Sequence, residues 1–175
     1  MAKKVNIITL GCSKNLVDSE NLLGSLRAAG LEVMHEAYTP SDYVIINTCG
    51  FIGDAKEESI EAILRYAEAR KDGRIEKLFV AGCLSQRYAK ELRNEIHEVD
   101  GFYGTEDIPA ILRDLGYDKE KKLVGERFLT TPPHYAYLKI SEGCDRRCSF
   151  CAIPLIRGKH LSRTIGSLRD ETCYL

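Results

Sequence analysis

Asp42-Tyr43-Val44-Ile45-Ile46-Asn47-Thr48-Cys49-Gly50 decides how this chain folds. Its centre is an unbroken apolar run, without the polar alternation of a strand that keeps one face in water. Such a run suits a strand covered on both faces, as in a parallel sheet flanked by helices. The same grammar recurs on either side of it. Val5-Asn6-Ile7-Ile8-Thr9-Leu10 ends at Gly11-Cys12, and Lys77-Leu78-Phe79-Val80-Ala81 ends at Gly82-Cys83. Helical patterns lie between these runs. Residues 15–29 carry Leu16, Leu22, Leu23 and Leu26 on one face with Gly30 as a stop, residues 54–70 carry Ile60, Ile63 and Leu64, and 86–96 form a third. Residues 32–37 read as a weaker strand and 99–103 as an edge strand. Thr105 is placed to cap a helix over 106–115. Strands alternating with helices predict an α/β domain with a mainly parallel sheet.

After residue 116 the composition changes. Asp118-Lys119-Glu120-Lys121-Lys122 and Thr130-Thr131-Pro132-Pro133 read as a linker. Beyond it, His134-Tyr135-Ala136-Tyr137-Leu138-Lys139-Ile140 is expected to be a strand running into a cysteine-dense loop, with a helix over 162–172. The organisation read from the sequence is a domain over 1–116, a linker over 117–133, and the start of a second unit over 134–175. At ~150 residues per domain, 175 residues hold one domain and part of another.

Composition excludes several function classes. The hydrophobic fraction of 44% is that of a globular protein, so the chain is not mainly disordered. The 25 Lys+Arg against 26 Asp+Glu, for a net charge of -1, give no electrostatic footprint for nucleic acid or an anionic membrane. A secretory signal needs an apolar core of ~7–15 residues, and the stretch after Lys3-Lys4 is short and broken by Asn6 and Thr9. No run approaches the ~20 apolar residues of a spanning helix. The expected location is the cytoplasm, where thiols stay reduced.

Seven cysteines, an odd number, then point to metal or catalysis rather than to a disulfide framework. They sort into two sets. Cys12, Cys49 and Cys83 each follow a strand, 37 and 34 residues apart, about one βα repeat each. In a parallel sheet all three reach the carboxyl edge, where open α/β sheets bind ligands. Gly11, Gly50 and Gly82 adjoin them and are expected to let backbone approach a bulky inorganic group. Helix N-termini follow, and their dipoles favour thiolate. Three converging thiolates can hold a metal or an iron–sulfur cluster; three buried structural cysteines are the alternative. The second set is Cys144, Cys148 and Cys151, in Gly143-Cys144-Asp145-Arg146-Arg147-Cys148-Ser149-Phe150-Cys151. Its three-then-two spacing is not the two-plus-two pairing of a zinc ribbon. Three ligands leave one iron of a 4Fe–4S cluster open to a small molecule. Zinc with His134 or His160 as a fourth ligand is the other reading.

The second loop resembles the signature of radical S-adenosylmethionine enzymes. That resemblance implies that Cys144, Cys148 and Cys151 ligate a 4Fe–4S cluster whose unique iron chelates S-adenosylmethionine. One-electron cleavage then yields a deoxyadenosyl radical that abstracts hydrogen. With an upstream three-cysteine α/β domain, the layout is similar to that of the methylthiotransferases, which implies a second 4Fe–4S cluster on Cys12, Cys49 and Cys83, used in sulfur insertion. Gly11-Cys12-Ser13-Lys14-Asn15-Leu16-Val17-Asp18-Ser19-Glu20 resembles the RimO branch of that family. Asn47-Thr48-Cys49-Gly50-Phe51-Ile52, Ala81-Gly82-Cys83-Leu84-Ser85-Gln86-Arg87-Tyr88 and Ala152-Ile153-Pro154-Leu155-Ile156-Arg157-Gly158 do so too. The branch implies methylthiolation of the β-carbon of an aspartate in the small-subunit ribosomal protein conventionally numbered twelve. One S-adenosylmethionine would supply the methyl group and a second the radical. The tRNA-directed sibling branch and a non-catalytic iron–sulfur protein are the competing readings. The reductant and the sulfur donor are not identified by the sequence.

The resemblance also has limits. A full (β/α)₈ barrel needs ~250 residues, and residues 134–175 supply a strand, the loop and one helix. A truncated barrel, inactive on its own, is the expectation. Leu161 and Thr164 stand where the branch often has a basic residue and proline. Cys173 has no partner spacing and reads as incidental. Arg146 and Arg147 read as solvated charges, Arg157 as a substrate contact or a local salt bridge. His35 and His97 read as surface residues, and Tyr135 and Tyr137 as packing residues of a strand.

Overall fold

A computed structural model describes residues 2–117 and 127–175. Its centre is a five-stranded sheet of β1 (Lys4–Thr9), β2 (Glu32–His35), β3 (Tyr43–Thr48), β4 (Lys77–Gly82) and β5 (Gly101–Phe102), in the order β2-β1-β3-β4-β5. Every pairing is parallel. The register sets Ile45 between Ile7 and Phe79, and Ile46 between Ile8 and Val80.

The unbroken apolar run of β3 is explained by two cores. Val44 and Ile46 point with Ile8, Leu78 and Val80 to one face. There they meet Ala62, Ile63 and Ala67 of α2 (Gly53–Lys71) and Leu92 of α3 (Cys83–Glu95). Ile45 points the other way with Val5, Ile7 and Phe79. That face packs on Leu22, Leu23 and Leu26 of α1 (Ser13–Ala28) and on Ile111 and Leu112 of α4 (Ile108–Asp114). Full burial of each such side chain stabilises the fold by about 1.5–3 kcal/mol.

Beyond this domain come β6 (Ser141–Glu142), α5 (Ile153–Arg157), β7 (Leu161–Ser162) and α6 (Ile165–Tyr174). β6 and β7 pair antiparallel. The linker charges at 118–122 lie outside the described residues. Residues 127–131 lie against α1: Arg127 is buried against Glu20, and the Thr130 N–H donates to Glu20 at 2.7 Å.

Several expectations are corrected. Residues 134–140 form no strand, because among the described residues no partner strand runs alongside them to complete a ladder. Tyr135 and Tyr137 are exposed and meet edge to face at 5.7 Å instead of packing into a sheet. Ile60 and Leu64 face solvent, and α2 buries Ser59, Ala62, Ile63 and Ala67. Thr105 caps no helix: its N–H donates to Gln86 Oε1 at 3.3 Å. α4 begins only at Ile108, where Pro109 suits a first helical turn. The helix after β4 starts at Cys83, three residues earlier than the apolar pattern suggests.

Candidate functional site

Parallel strands put their carboxyl ends on one edge, and the upstream cysteines sit there. Cys12 occupies the cap position of α1, Cys49 follows the last residue of β3, and Cys83 opens α3. Cys49 and Cys83 are buried and Cys12 is exposed. The adjoining glycines let protein pack closely on protein. Gly11 has φ +95°, and a Cβ there would lie 2.6 Å from Cys49 Cβ and 2.9 Å from its Sγ. A Cβ on Gly50 would lie 2.7 Å from the Leu84 backbone, and one on Gly82 would lie 2.4 Å from Asn47 Oδ1.

A buried polar frame holds the three loops. Asn15 Nδ2 donates to the carbonyls of Leu10 at 2.8 Å and Thr48 at 3.0 Å, joining the ends of β1 and β3. Asn47 Nδ2 donates to the Asn15 carbonyl at 2.8 Å and to Ser19 Oγ at 2.9 Å. The Cys49 N–H donates to Ser59 Oγ, whose hydroxyl donates back to the Cys49 carbonyl, both at 3.0 Å. Cys83 Sγ lies 3.6 Å from Asn15 Oδ1 as its donor. Leaving any one of these buried groups without its partner costs about 1–3 kcal/mol. Burial pushes the Cys83 thiol up, Arg157 beside it pulls it down, and the neighbouring Cys49 and Cys12 thiols push it up again.

The downstream cysteines lie in the loop between β6 and α5. Gly143 has φ +70°, and a Cβ there would collide with the Lys159 carbonyl, so the loop turns tightly before its first thiol. The Cys144 N–H donates to the Gly158 carbonyl at 3.0 Å and the Cys151 N–H to the Cys148 carbonyl at 3.1 Å. Cys144 and Cys151 are half-buried and Cys148 is exposed. Arg146, Arg147 and Phe150 face solvent. Asp145 Oδ1 accepts from the His160 N–H at 3.1 Å, and His160 Nε2 lies 3.1 Å from Ser162 Oγ. Cys173 is exposed on α6.

An ionic cluster joins the two cysteine sites. Arg157 is buried; its Nη1 donates to Asp18 Oδ2 at 2.6 Å and Glu142 Oε2 at 3.0 Å, and its Nη2 to Asn15 Oδ1 at 2.5 Å. The salt bridge read from the sequence for Arg157 is present. Lys139 Nζ donates to Asp18 at 2.5 Å and to Glu142 at 2.9 Å, and Lys14 Nζ to Glu142 at 3.1 Å. Burial works against ionising Glu142, but Lys139, Arg157 and Lys14 outweigh it and hold its carboxyl down at about 2. A second ionic group lies farther along α1. Glu20 accepts from Arg127 Nε at 2.7 Å, and Arg127 Nη1 donates to Glu171 at 2.9 Å.

The apolar patterns did not single out Asn15, Ser19, Asp18, Glu20, Arg127 or Glu142. One signal was available: Asn15, Ser19, Leu22 and Leu26 share a helical stripe that is polar at its first half and apolar at its second. His35 is also more enclosed than a surface histidine, with Nε2 2.9 Å from Thr9 Oγ1. His97 is exposed, as read.

The donor chemistry of both sets fits an iron–sulfur group. Thiolates are soft ligands that select such clusters, zinc or Cu(I). Upstream, the Cys83 thiol shares the Asn15 Oδ1 contact with a buried guanidinium, that of Arg157, which can offset anionic charge. Among the described residues, no three His, Cys, Asp or Glu side chains are gathered tightly enough to hold a single metal ion. Also among the described residues, no helix is long and apolar enough to cross a membrane.

Comparison with known proteins places this architecture. Over 166 residues the chain is 59% identical to the ribosomal protein uS12 methylthiotransferase RimO of Cytophaga hutchinsonii, covering 94% of this chain and 38% of that protein. It is 59% identical over 174 residues to the protein of the same name in Bacteroides fragilis, covering 99% and 40%. For that of Flavobacterium psychrophilum the identity is 56% over 168 residues, covering 96% and 38%. The chain thus spans about two-fifths of the length of the curated relatives it matches. Residues 4–104, which hold the whole parallel sheet and all three upstream cysteines, match the uncharacterized protein family UPF0004, and to that family this chain belongs.

Proposed function

We propose that residues 1–175 form the cluster-binding start of a radical S-adenosylmethionine methylthiotransferase that modifies an aspartate of ribosomal protein uS12. The observation that supports this most directly is the 59% identity to proteins named for that activity, running across nearly the whole chain and through both cysteine sets. Cys12, Cys49 and Cys83 are the proposed ligands of one 4Fe–4S cluster. Cys144, Cys148 and Cys151 are those of the second, at which S-adenosylmethionine binds. When bound, these groups supply the one-electron chemistry that breaking an unactivated C–H bond requires and that side-chain acids and bases lack.

The chain's own residues then have three tasks. Asn15, Asn47 and Ser59 fix the loops that carry the upstream thiols. The Cys144 N–H contact to Gly158 folds the downstream loop onto the turn after α5. Asp18, Lys139, Glu142 and Arg157 hold that loop against α1. Relative placement of the two sites, rather than proton transfer, is what this part of the enzyme contributes. Residues 1–175 alone are expected to bind clusters but not to transfer a methylthio group. The proposed setting is the cytoplasm, with a ribosomal protein as substrate and no membrane or nucleic-acid partner.

Anaerobic reconstitution with iron and sulfide tests the ligand assignment. About eight irons per chain are expected from two cubane clusters. Replacing either cysteine triad with alanine should remove about half of them. Uptake of zinc in place of iron would refute the radical reading.

A further inference from the structure

Arg157 belongs in sequence to the downstream cysteine loop and in space to the upstream cysteine site. It sits on α5, six residues after Cys151, yet it donates to Asn15 Oδ1, the same oxygen that Cys83 Sγ contacts. Asn15 is the side chain that ties together the ends of β1 and β3. The guanidinium is buried, so water screens its charge little at this distance. Asp18 and Glu142 hold it from the side. No other Arg or Lys among the described residues donates a hydrogen bond to a group that also contacts an upstream thiol.

We propose that Arg157 is a positioning residue for the upstream site, supplied by the segment that carries the downstream one, and that its buried charge tunes the group held by Cys12, Cys49 and Cys83. This rests on the reading of those three cysteines as cluster ligands. The potential of an iron–sulfur cluster follows its net charge, the hydrogen bonds near its sulfurs and its exposure. A buried cation beside Cys83 eases addition of an electron. Removing it makes the upstream cluster harder to reduce. Weakening its counter-charge does the reverse. Docking of residues 139–157 on α1 thereby becomes part of the upstream site's electrostatics.

The test uses the 175-residue chain with Cys144, Cys148 and Cys151 all replaced by alanine, so that only the upstream triad can hold iron. Iron and sulfide are counted first, and the midpoint potential is then measured by electron paramagnetic resonance during redox titration. Arg157→Gln should disfavour reduction about tenfold, a fall of about 59 mV for one electron. Asp18→Asn, which keeps an oxygen to accept from Arg157 but removes a compensating charge, should shift the potential upward. Opposite signs separate a charge effect from loosened packing, which has no reason to move the two variants apart. Unchanged potentials, or shifts of the same sign, overturn the proposal. If Arg157→Gln does not fold, the sign for Asp18→Asn decides alone. A parent that binds no iron removes the ligand reading itself, and the proposal with it, at the iron count rather than at the potential.

Discussion

Arg127→Met should destabilise the chain by about 3–5 kcal/mol, the loss expected when one partner of a buried ion pair is removed. Glu20 is fully buried and accepts from Arg127 Nε at 2.7 Å, with Arg127 Nη2 2.5 Å away, and from the N–H and hydroxyl of Thr130 at 2.7 and 2.9 Å. Methionine takes away the guanidinium and leaves the carboxylate with Thr130 alone. It also frees the Tyr137 carbonyl, which accepts from Arg127 Nη1 at 2.5 Å, and one oxygen of Glu171. In a chain of this size each kcal/mol lowers the melting temperature by roughly 2–4 °C, so a fall of roughly 6–20 °C is expected. The assay is urea and thermal unfolding of the reduced chain, followed by far-ultraviolet circular dichroism. Glu20→Gln with Arg127→Met should cost less than the sum of the single variants, with a coupling of about 1–3 kcal/mol. A loss below about 1 kcal/mol, or strict additivity, would refute the view that this pair fastens residues 127–131 to α1.

Two further predictions concern the edge of the sheet and its ionic cluster. Gly11→Ala should destabilise the apo chain by at least about 2 kcal/mol, because it combines a left-handed φ with a clash on Cys49, and reconstituted iron should fall by about half; full iron loading with native stability would contradict the packing described. Acid should weaken the contact between α1 and residues 139–157. The Glu142 carboxyl is held at about 2 against an ordinary 4.5, so its contribution is complete above pH ~4.5 and is lost as pH falls toward 2. The shift corresponds to on the order of 3 kcal/mol. Glu142→Gln should lower stability at pH 7 and flatten the acid limb of an unfolding-versus-pH curve, and an unchanged limb would count against the cluster.

The sheet was legible because its strands are buried on both faces. Val44-Ile45-Ile46 needs no partner information to be recognised, and the cysteines at three strand ends follow once the strands are parallel. The helix boundaries were less legible. α3 starts at Cys83 with a short buried turn, Cys83-Leu84-Ser85, and is kinked at Tyr88, so a single helical period picked it up late. Residues 134–140 carry alternating tyrosines, which mimic a strand pattern, but a strand exists only where a neighbour supplies its ladder. The linker reading fared differently at its two ends. Thr130 and Arg127 look like loop residues until Glu20, more than 100 positions earlier, is found beneath them. Local pattern cannot show that kind of pairing, since neither partner is unusual in its own window.

The near-neutral net charge says nothing for nucleic acid or membrane binding, and it is equally silent about the interior. What matters at the upstream edge is which charges are buried beside it. Cys12 caps α1 and Cys83 opens α3, so two helix N-termini present their partial positive charge to the thiols. Arg157 adds a full charge beside Cys83, on the shared Asn15 Oδ1. Buried thiolates carry a desolvation penalty, seen in the upward push on Cys83 from burial and from its neighbours. The polar first half of α1 gives up apolar contact to position Asn15, which joins the ends of β1 and β3, and Asp18, which pairs with Lys139 and Arg157. Arg157 comes from beyond the 4–104 family region, so its contact with Asn15 exists only when the later segment is docked. On the proposed ligand assignment, the two cysteine sets act as one electrostatic unit, linked by Arg157 through Asn15 on one side and Glu142 on the other.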